Sequence, residues 1–453
     1  MNRVLLIAYH FPPAGGAGVQ RSAKLARYLP EFGWQPVVVT HSQAPVDRWN
    51  PLDTTLDAEL PAEVVVRRVP ASAPPFSTGW RKRRERWLRA ESPFATWWRE
   101  SAVSIGQTYS DGVEVVYASL APWQSGEAAA VLSRRLQLPW VADLRDPWAL
   151  DEMMVYPSRL HRRLERSRMC RVLETADAIV MNTPEAANRL KETFPRLRGK
   201  DVVTIPNGFD AEDFSGPPPS RADGQFRIVH AGYLHTSLGR QLRRGRVLRN
   251  LLGGAVPGVD VYTRSHVFLL QALERAFSRD PGLREVVRLQ LAGVLSEGDR
   301  AASRSDVVEM LGYLSHDTTV ELVRSADLLF LPMQNLPLGV RATIVPGKTY
   351  EYLASGRPIL AAVPDGDARD LLAEAGNAYL CRPDDVVAME RIVIGQLERW
   401  RTGTRPPAPD PRVIERHERR RLTGHIASVL DEVAGKARLS ARTARTLPAH
   451  LNR

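Results

Sequence analysis

The sequence predicts an α/β protein of two doubly wound, Rossmann-like domains, and three observations carry that prediction. At 453 residues the chain is too long for one compact core and has the length of two domains of about 200 residues each. Val4–Ala8 is a continuous apolar run, followed by a glycine-rich turn, an amphipathic helix through Leu29 and a second run at Gln35–Thr40. That is one βαβ unit with a central strand buried on both faces. In the other half, Ala326–Pro332 and then VPGKTYEYLASGRPILAAV over Val345–Val363 read as strand, loop, helix and strand.

Composition sets the outer limits. The residues are 43% hydrophobic and 25% charged, as in ordinary globular proteins, and no apolar run approaches the ~20 residues a membrane span needs. The N-terminus, Met1 to His10, leads straight into the first strand and lacks a small-residue cleavage site, so the expected location is cytoplasmic. Cys170 and Cys381 lie too far apart in sequence to suggest a disulfide framework or a metal site. A net charge of +11 and a pI near 9.9 favour an anionic partner without naming it. Nucleotide diphosphates, anionic lipid and nucleic acid all qualify.

In chain order, the turn after the first strand is His10–Arg21, with Gly15, Gly16 and Gly18. Glycines there admit a ligand to the backbone, and Arg21 can reach an anion; the spacing is not the dinucleotide fingerprint. Trp80–Glu100 sets Arg81, Lys82, Arg83, Arg84, Arg86 and Arg89 among tryptophans. It reads either as a surface lying on anionic lipid or as a solvated helix whose tryptophans pack inward, with Pro93 interrupting its period. Val113–Tyr117 and Trp140–Asp143 are further strands with a helix over 126–136 between them. The second runs into Asp143-Leu144-Arg145-Asp146-Pro147-Trp148. Polar residues at the carboxyl end of a strand fall where ligands bind in such sheets. Arg145 can pair with phosphate, and Asp143 or Asp146 can accept a sugar hydroxyl; an internal Asp–Arg bridge bracing the loop is the alternative. Ala176–Thr183 and Val202–Asp210 complete the first domain, 1–210, and the proline-rich stretch 214–225 has linker composition.

The second domain, 225–410, opens with Phe226–Tyr233, a strand ending at Gly232. An arginine- and glycine-rich insertion, 238–261, reads as a mobile loop of the kind that forms lids. Leu289–Gly293 and Val307–Leu314 are strands. Residues 411–433 read as a helix, and the basic stretch 434–453 reads as a disordered tail.

The Val345–Val363 unit is the centre of the functional reading. Pro346 and Gly347 precede a helix whose first turn carries Lys348, and Glu351 follows about one turn later. A helix start at a strand's carboxyl end attracts anions, and a carboxylate can accept two hydrogen bonds in the spacing of a ribose diol. The plain alternative is a pair of solvated residues on a crossover helix. At this segment the sequence resembles the retaining GT-B glycosyltransferases, family 4. The matching residues are Pro346, Lys348, Glu351, Tyr352, Ala354, Gly356, Pro358 and Ile359, and the IPNGFD segment over 205–210 is similar too. Where many members carry a further glutamate, eight positions before Glu351, this chain has Thr343. In DLRDPW, Arg145 stands where members often have histidine.

The resemblance implies two domains facing across a cleft, with the 411–433 helix crossing back to the first. It implies a nucleotide-diphosphate sugar as co-substrate, no cofactor, no metal, and transfer with retention to a glycan, lipid-linked glycan or small-molecule hydroxyl. Lys348 with Arg264 takes the leaving-group charge, and Arg145 and Asp146 complete the catalytic set. Glu351 holds the ribose. Gly15, Gly16, Gly232, Arg240, Pro346 and Gly347 border the diphosphate, and Gly312, Tyr313 and Leu314 face the base. Arg21 and Asp143 serve the acceptor side. The rivals are a nucleotide-sugar 2-epimerase on the same fold and a non-catalytic protein binding membrane or nucleic acid through its basic surface. Nucleic acid is not the expected partner; an anionic membrane surface reached through 80–100 is a candidate one.

Overall fold

The computed structural model describes residues 1–41, 51–70, 74 and 77–446. The first sheet contains β1 (Asn2–Ile7), β2 (Trp34–His41), β3 (Val65–Val69), β4 (Val113–Leu120), β5 (Trp140–Leu144), β6 (Ala178–Met181) and β7 (Asp201–Thr204), in the order β3-β2-β1-β4-β5-β6-β7. The second contains β8 (Phe226–Ala231), β9 (Val287–Ala292), β10 (Val308–Gly312), β11 (Leu328–Pro332), β12 (Ile359–Ala362) and β13 (Ala378–Cys381), in the order β10-β9-β8-β11-β12-β13. The pairings are parallel throughout, from Leu5 against Val37 and Val116 to Phe330 against Leu360. Strand order reverses between β1 and β4 and between β8 and β11, so the crevices outside the carboxyl ends of those strands are where this class of sheet binds ligands.

Each sheet is apolar on both faces because helices cover both. In the first domain Trp98, Trp140 and Trp148 pack on one face, while Trp34, Val115 and Tyr117 line the other. The helix Arg419–Thr446 covers that second face with Leu422, Ile426, Leu430 and Val433. The chain thus leaves the second domain to complete the core of the first. Trp34 Nε1 donates to Asp431 at 3.0 Å, and Phe209 and His417 share a backbone hydrogen bond of 3.1 Å at the crossing.

Three local expectations are corrected. Pro93 does not interrupt a helix; it starts one. Two helices, Gly79–Leu88 and Pro93–Thr108, replace the continuous segment, and the Ser92 hydroxyl caps the second by accepting from Ala95 N at 3.2 Å. Proline at a first helical position lacks only an amide that would be unpaired anyway. The insertion 238–261 is not an open loop. It forms the helices Thr236–Arg244 and Arg246–Leu252, and Asp260, paired with Arg243 at 2.5 Å, fixes its return by backbone hydrogen bonds with Asn335. Gly239 makes that packing possible, since a Cβ there would stand 2.3 Å from Tyr262 Cα. The tail is not disordered from 434: the last helix continues to Thr446. Ala, Leu, Lys and Arg are strong helix formers, and Lys436 to Glu432 at 2.6 Å and Arg438 to Glu114 at 2.8 Å hold this extension. Residues 447–453 of the expected tail lie outside the described residues. Strands β3 and β13 were not among the sequence expectations. Both cysteines are free, and Cys381 is buried.

One buried charge ties the two chain crossings together. The Asp210 carboxylate, fully buried, accepts from Lys24 at 2.6 Å, Arg419 at 3.1 Å and Tyr28 at 3.0 Å. Burial alone would raise its pKa, but Arg419 and Lys24 outweigh burial and hold it below the usual carboxylate value. Replacing Asp210 by Asn should destabilise the protein by about 3–5 kcal/mol, since it leaves Lys24 and Arg419 buried against each other. A carboxylate with a lowered folded pKa stabilises above its unfolded value and loses that contribution as pH falls through the folded one. Denaturant titrations should therefore show the wild-type advantage over Asp210→Asn shrinking below about pH 4.

Candidate active site

At the carboxyl end of β8 the chain turns at Gly232, where φ is +113°. The Lys348 side chain fills the space beside it: a Cβ on Gly232 would lie 2.6 Å from Lys348 Nζ. Glycine is thus required for both the backbone angle and the approach of the cation. Lys348 Nζ lies 3.2 Å from His230 Nε2, and His230 Nδ1 lies 3.0 Å from the Phe330 carbonyl. Nδ1 must carry the ring proton to donate to that carbonyl, so Nε2 accepts from the ammonium. Burial and the neighbouring Lys348 charge hold His230 neutral, well below its ordinary pKa.

Lys348 is itself enclosed. Burial lowers its pKa to about 7, Arg264 adds to the depression, and Glu351 opposes it. Arg264 is equally enclosed. Burial depresses its pKa too, against the pull of Asp151, Asp146 and Glu152 from the first domain. Its Nη1 is 3.6 Å from Met153 Sδ. Two cations of the second domain therefore converge opposite the acidic loop that follows β5. In that loop Asp151 is pushed up to about 7 by burial and by Glu152.

Glu351 faces the seam between the domains, its Oε1 3.6 Å from Arg419 Nη2. His316 is beside it, hydrogen-bonded to Asp213 at 2.8 Å and to Gln20 at 3.1 Å. Pro346 O accepts from Thr349 N at 2.9 Å, and open space surrounds the place where a Gly347 Cβ would be. The first-domain loop closes the other side. Gly15 N donates to Pro51 O at 2.6 Å, and Gly16 adopts φ +91° at the start of the Ala17–Tyr28 helix. Tyr313 reaches across from the second domain and donates to Asp53 Oδ2 at 3.0 Å; its hydroxyl lies 2.4 Å from where a Gly15 Cβ would be. Gly312 has φ +74°, its carbonyl accepts from Gly293 N at 2.6 Å, and Leu314 packs on the second-domain core. Arg145 lies over the helix start, where Gly18 leaves room for its guanidinium, and its Nε is 3.6 Å from the half-exposed Asp146.

The structure thus brings together Gly232, Arg264, Lys348, Glu351, Arg145, Asp146, Gly15 and Tyr313. It separates others from them. Arg21 is not an open acceptor group: its guanidinium forms a two-point bridge to Asp143, both contacts 2.8 Å, and donates to the Ile205 and Pro206 carbonyls at 3.1 and 2.9 Å. Its donors are spent, and Asp143 is buried. The bracing Asp–Arg bridge therefore exists, with Arg21 as the cation on Asp143, beside the longer Arg145–Asp146 pair. Arg240 sits on the insertion helix with its guanidinium 5.9 Å from the Tyr262 ring centroid, beside Val267 and Leu270.

Sequence reasoning missed His230, Asp151, Glu152, His316 and Arg419. The polar His230 in an apolar strand was a readable signal. Glu152 was not, because its role depends on the other domain. Its buried carboxylate accepts from Thr343 Oγ1 at 2.5 Å and Gln334 Nε2 at 3.0 Å.

Residues 15–208 match the family model of the glycosyl transferase 4-like domain, and residues 257–399 match that of glycosyl transferases group 1. No curated protein matches significantly. Among solved structures, a sucrose-phosphate synthase from Thermosynechococcus elongatus is similar at 15% identity and TM-score 0.59, with 99% of this chain and 100% of that one covered. Anabaena HepE in complex with UDP and glucose is similar at 16% identity and TM-score 0.54, with 99% and 100% covered. A 2-epimerase-like protein from Listeria monocytogenes, described as a UDP-N-acetylglucosamine enzyme, is similar at 12% and 0.51, with 95% of each chain covered. At these identities the likeness is one of fold.

Because Gly232 is needed twice over, Gly232→Ala should cost about 1–3 kcal/mol in chemical denaturation. It should also displace Lys348, whereas Gly347→Ala, with open space around it, should leave stability within about 0.5 kcal/mol of wild type.

Proposed function

Since the chain belongs to the group 1 glycosyltransferases of GT-B fold, we propose that it moves a sugar from a nucleotide-diphosphate donor to an acceptor hydroxyl with retention at the anomeric carbon. The observation that supports this most directly is the convergence of Lys348 and Arg264 beside Gly232, outside the carboxyl end of β8. In this reading the donor diphosphate lies against Lys348 and Arg264, and Glu351 accepts from the ribose hydroxyls. As the bond from the anomeric carbon to the diphosphate breaks, negative charge develops on the departing oxygens. Two enclosed cations stabilise that charge more than they stabilise the intact donor. The new bond to the acceptor oxygen forms on the same face of the sugar, and the acceptor's proton passes to the departing diphosphate oxygen.

Asp146, half-exposed opposite Arg264, orients the acceptor hydroxyl. Arg145 stands over the glycine-rich turn, where an anionic part of the substrate would approach. Lys348 and Arg264 supply the charge stabilisation in this proposal without a metal ion. The acceptor is a glycan or a lipid-linked glycan. The exposed, basic Gly79–Leu88 helix supports an acceptor held at an anionic membrane surface. Among the described residues no helix is long and apolar enough to cross a membrane.

Turnover of a panel of nucleotide sugars with and without acceptor hydroxyls tests the reaction: donor consumption that needs no acceptor and inverts a sugar centre would identify an epimerase instead. Glu351→Ala should weaken UDP binding about thirtyfold, the loss of about 2 kcal/mol of charge-assisted hydrogen bonding, as read by calorimetry. An unchanged Kd would remove Glu351 from the site.

Lys348 gives a pH signature. With its pKa lowered to about 7 in the free protein, the diphosphate must bind with uptake of a proton at higher pH. UDP affinity should fall about tenfold per pH unit above about 7 and level off below it. Lys348→Arg, which stays charged, should abolish that slope.

A further inference from the structure

The helix Gly79–Leu88 buries none of its residues. Trp80, Trp87 and Leu88 are 66%, 52% and 66% exposed, and Glu85, the only acid of the helix, is occupied by the Ser77 hydroxyl at 2.6 Å. The tryptophans of the following helix do the opposite: Trp98 is fully buried in the first-domain core. Only the 79–88 half of the basic, tryptophan-rich stretch is therefore free to meet a partner.

That helix is not an isolated feature. Its end is fastened to the start of the Arg159–Leu173 helix, where the His161 ring donates to the Trp87 carbonyl at 3.0 Å and stacks edge-on against the Trp87 ring at 5.4 Å. Arg86 donates to the Val155 carbonyl at 2.8 Å. From there the contacts pass to the second domain. Tyr156 N donates to Gly254 O at 2.8 Å, and a Cβ on Gly253 would lie 3.1 Å from Arg159 Cβ. Gly253 ends the Arg246–Leu252 helix, whose Val247 and Leu251 are 84% and 82% exposed. Leu160, also exposed, lies between the two groups. The two helices of the insertion, over 236–252, contain five arginines and no acidic residue, and Asp260 beyond them is paired with Arg243.

We infer that the Gly79–Leu88 helix, Leu160 and the Arg246–Leu252 helix form one composite surface, drawn from both domains, that docks on an anionic lipid bilayer. Apolar side chains exposed among arginines, with acids absent or occupied, match the interfacial region of such a bilayer: the side chains enter the headgroup boundary and the arginines pair with phosphates. Nucleic acid would use the arginines but has no use for exposed Val247, Leu251 and Leu88. None of the residues of this surface is assigned a part in the proposed reaction, so the inference does not depend on it. It does add to it, because a bilayer gripping both domains at once would bear on the gap between them.

The test is co-sedimentation of the full chain with phosphatidylcholine vesicles and with vesicles also containing phosphatidylglycerol. Binding is expected only to the latter, and to fall as salt shortens the Debye length. Two double variants, Trp80→Ser with Leu88→Ser and Val247→Ser with Leu251→Ser, should each lower partitioning about tenfold or more. Both should keep the wild-type circular dichroism melt, since their side chains are exposed. Equal or absent binding to the two vesicle types overturns the proposal. Wild-type partitioning of the Val247/Leu251 variant overturns its two-domain character, and binding to duplex DNA alone, unchanged in both variants, assigns the arginines to nucleic acid instead.

Discussion

A half-buried cation with little opposing charge sets the terms for the rest of the site. Lys348 is half-buried next to a second half-buried cation, Arg264, and a neutral histidine, while Glu351 favours its charged form. Enclosing such charges costs free energy unless anions compensate them. Part of that compensation comes from the other domain, through Asp146, Asp151 and Glu152 facing Arg264. Electrostatics therefore couples the two sheets, and the crevice between their carboxyl ends suits a ligand that carries two or more negative charges. Local features that look unrelated follow from this arrangement: the positive φ of Gly232, the tautomer of His230 and the acid-rich loop after β5.

The domains are held by polar contacts rather than by a shared apolar core. On one side the buried Glu152 carboxylate is received by Thr343 and Gln334, and Thr183 Oγ1 donates to Thr343 O at 2.8 Å. On the other, Tyr313 meets Asp53, and His316 meets Gln20 and Asp213. The last helix closes the arrangement by placing Arg419 between Asp210 and Glu351, so one guanidinium reaches both the domain crossing and Glu351. Thr343 occupies the position where many relatives of this pattern carry a glutamate. Here the carboxylate that meets that position comes from the opposite domain.

Elements built from sequence-local rules were legible from the chain. The apolar runs of β1 and β11 read directly as central parallel strands, and the Pro346–Pro358 unit announced its helix and turn. Misreadings clustered where a partner decides the outcome. Pro93 carries the same local information as a helix breaker or as a first residue, and Ser92 with the buried Trp98 decides between them. The 238–261 insertion is rich in glycine and arginine, and its helices are held by Tyr262, Asn335 and the Tyr156 region, none of which its own sequence specifies.

What the sequence determined by itself was the α/β class, the two-domain organisation and the positions of Lys348, Glu351 and the glycine-rich turn, because strand burial, helix starts and positive-φ turns are properties of short segments. Only the tertiary structure decided which charged side chains are spent and which remain available. Arg21 and Arg264 look alike along the chain, yet one has all its donors committed to Asp143 and three neighbours in its own domain while the other points at an acidic loop over a hundred residues away. Hydrogen-bond saturation and desolvation depend on neighbours in space, and those exist only once both sheets have formed and faced each other.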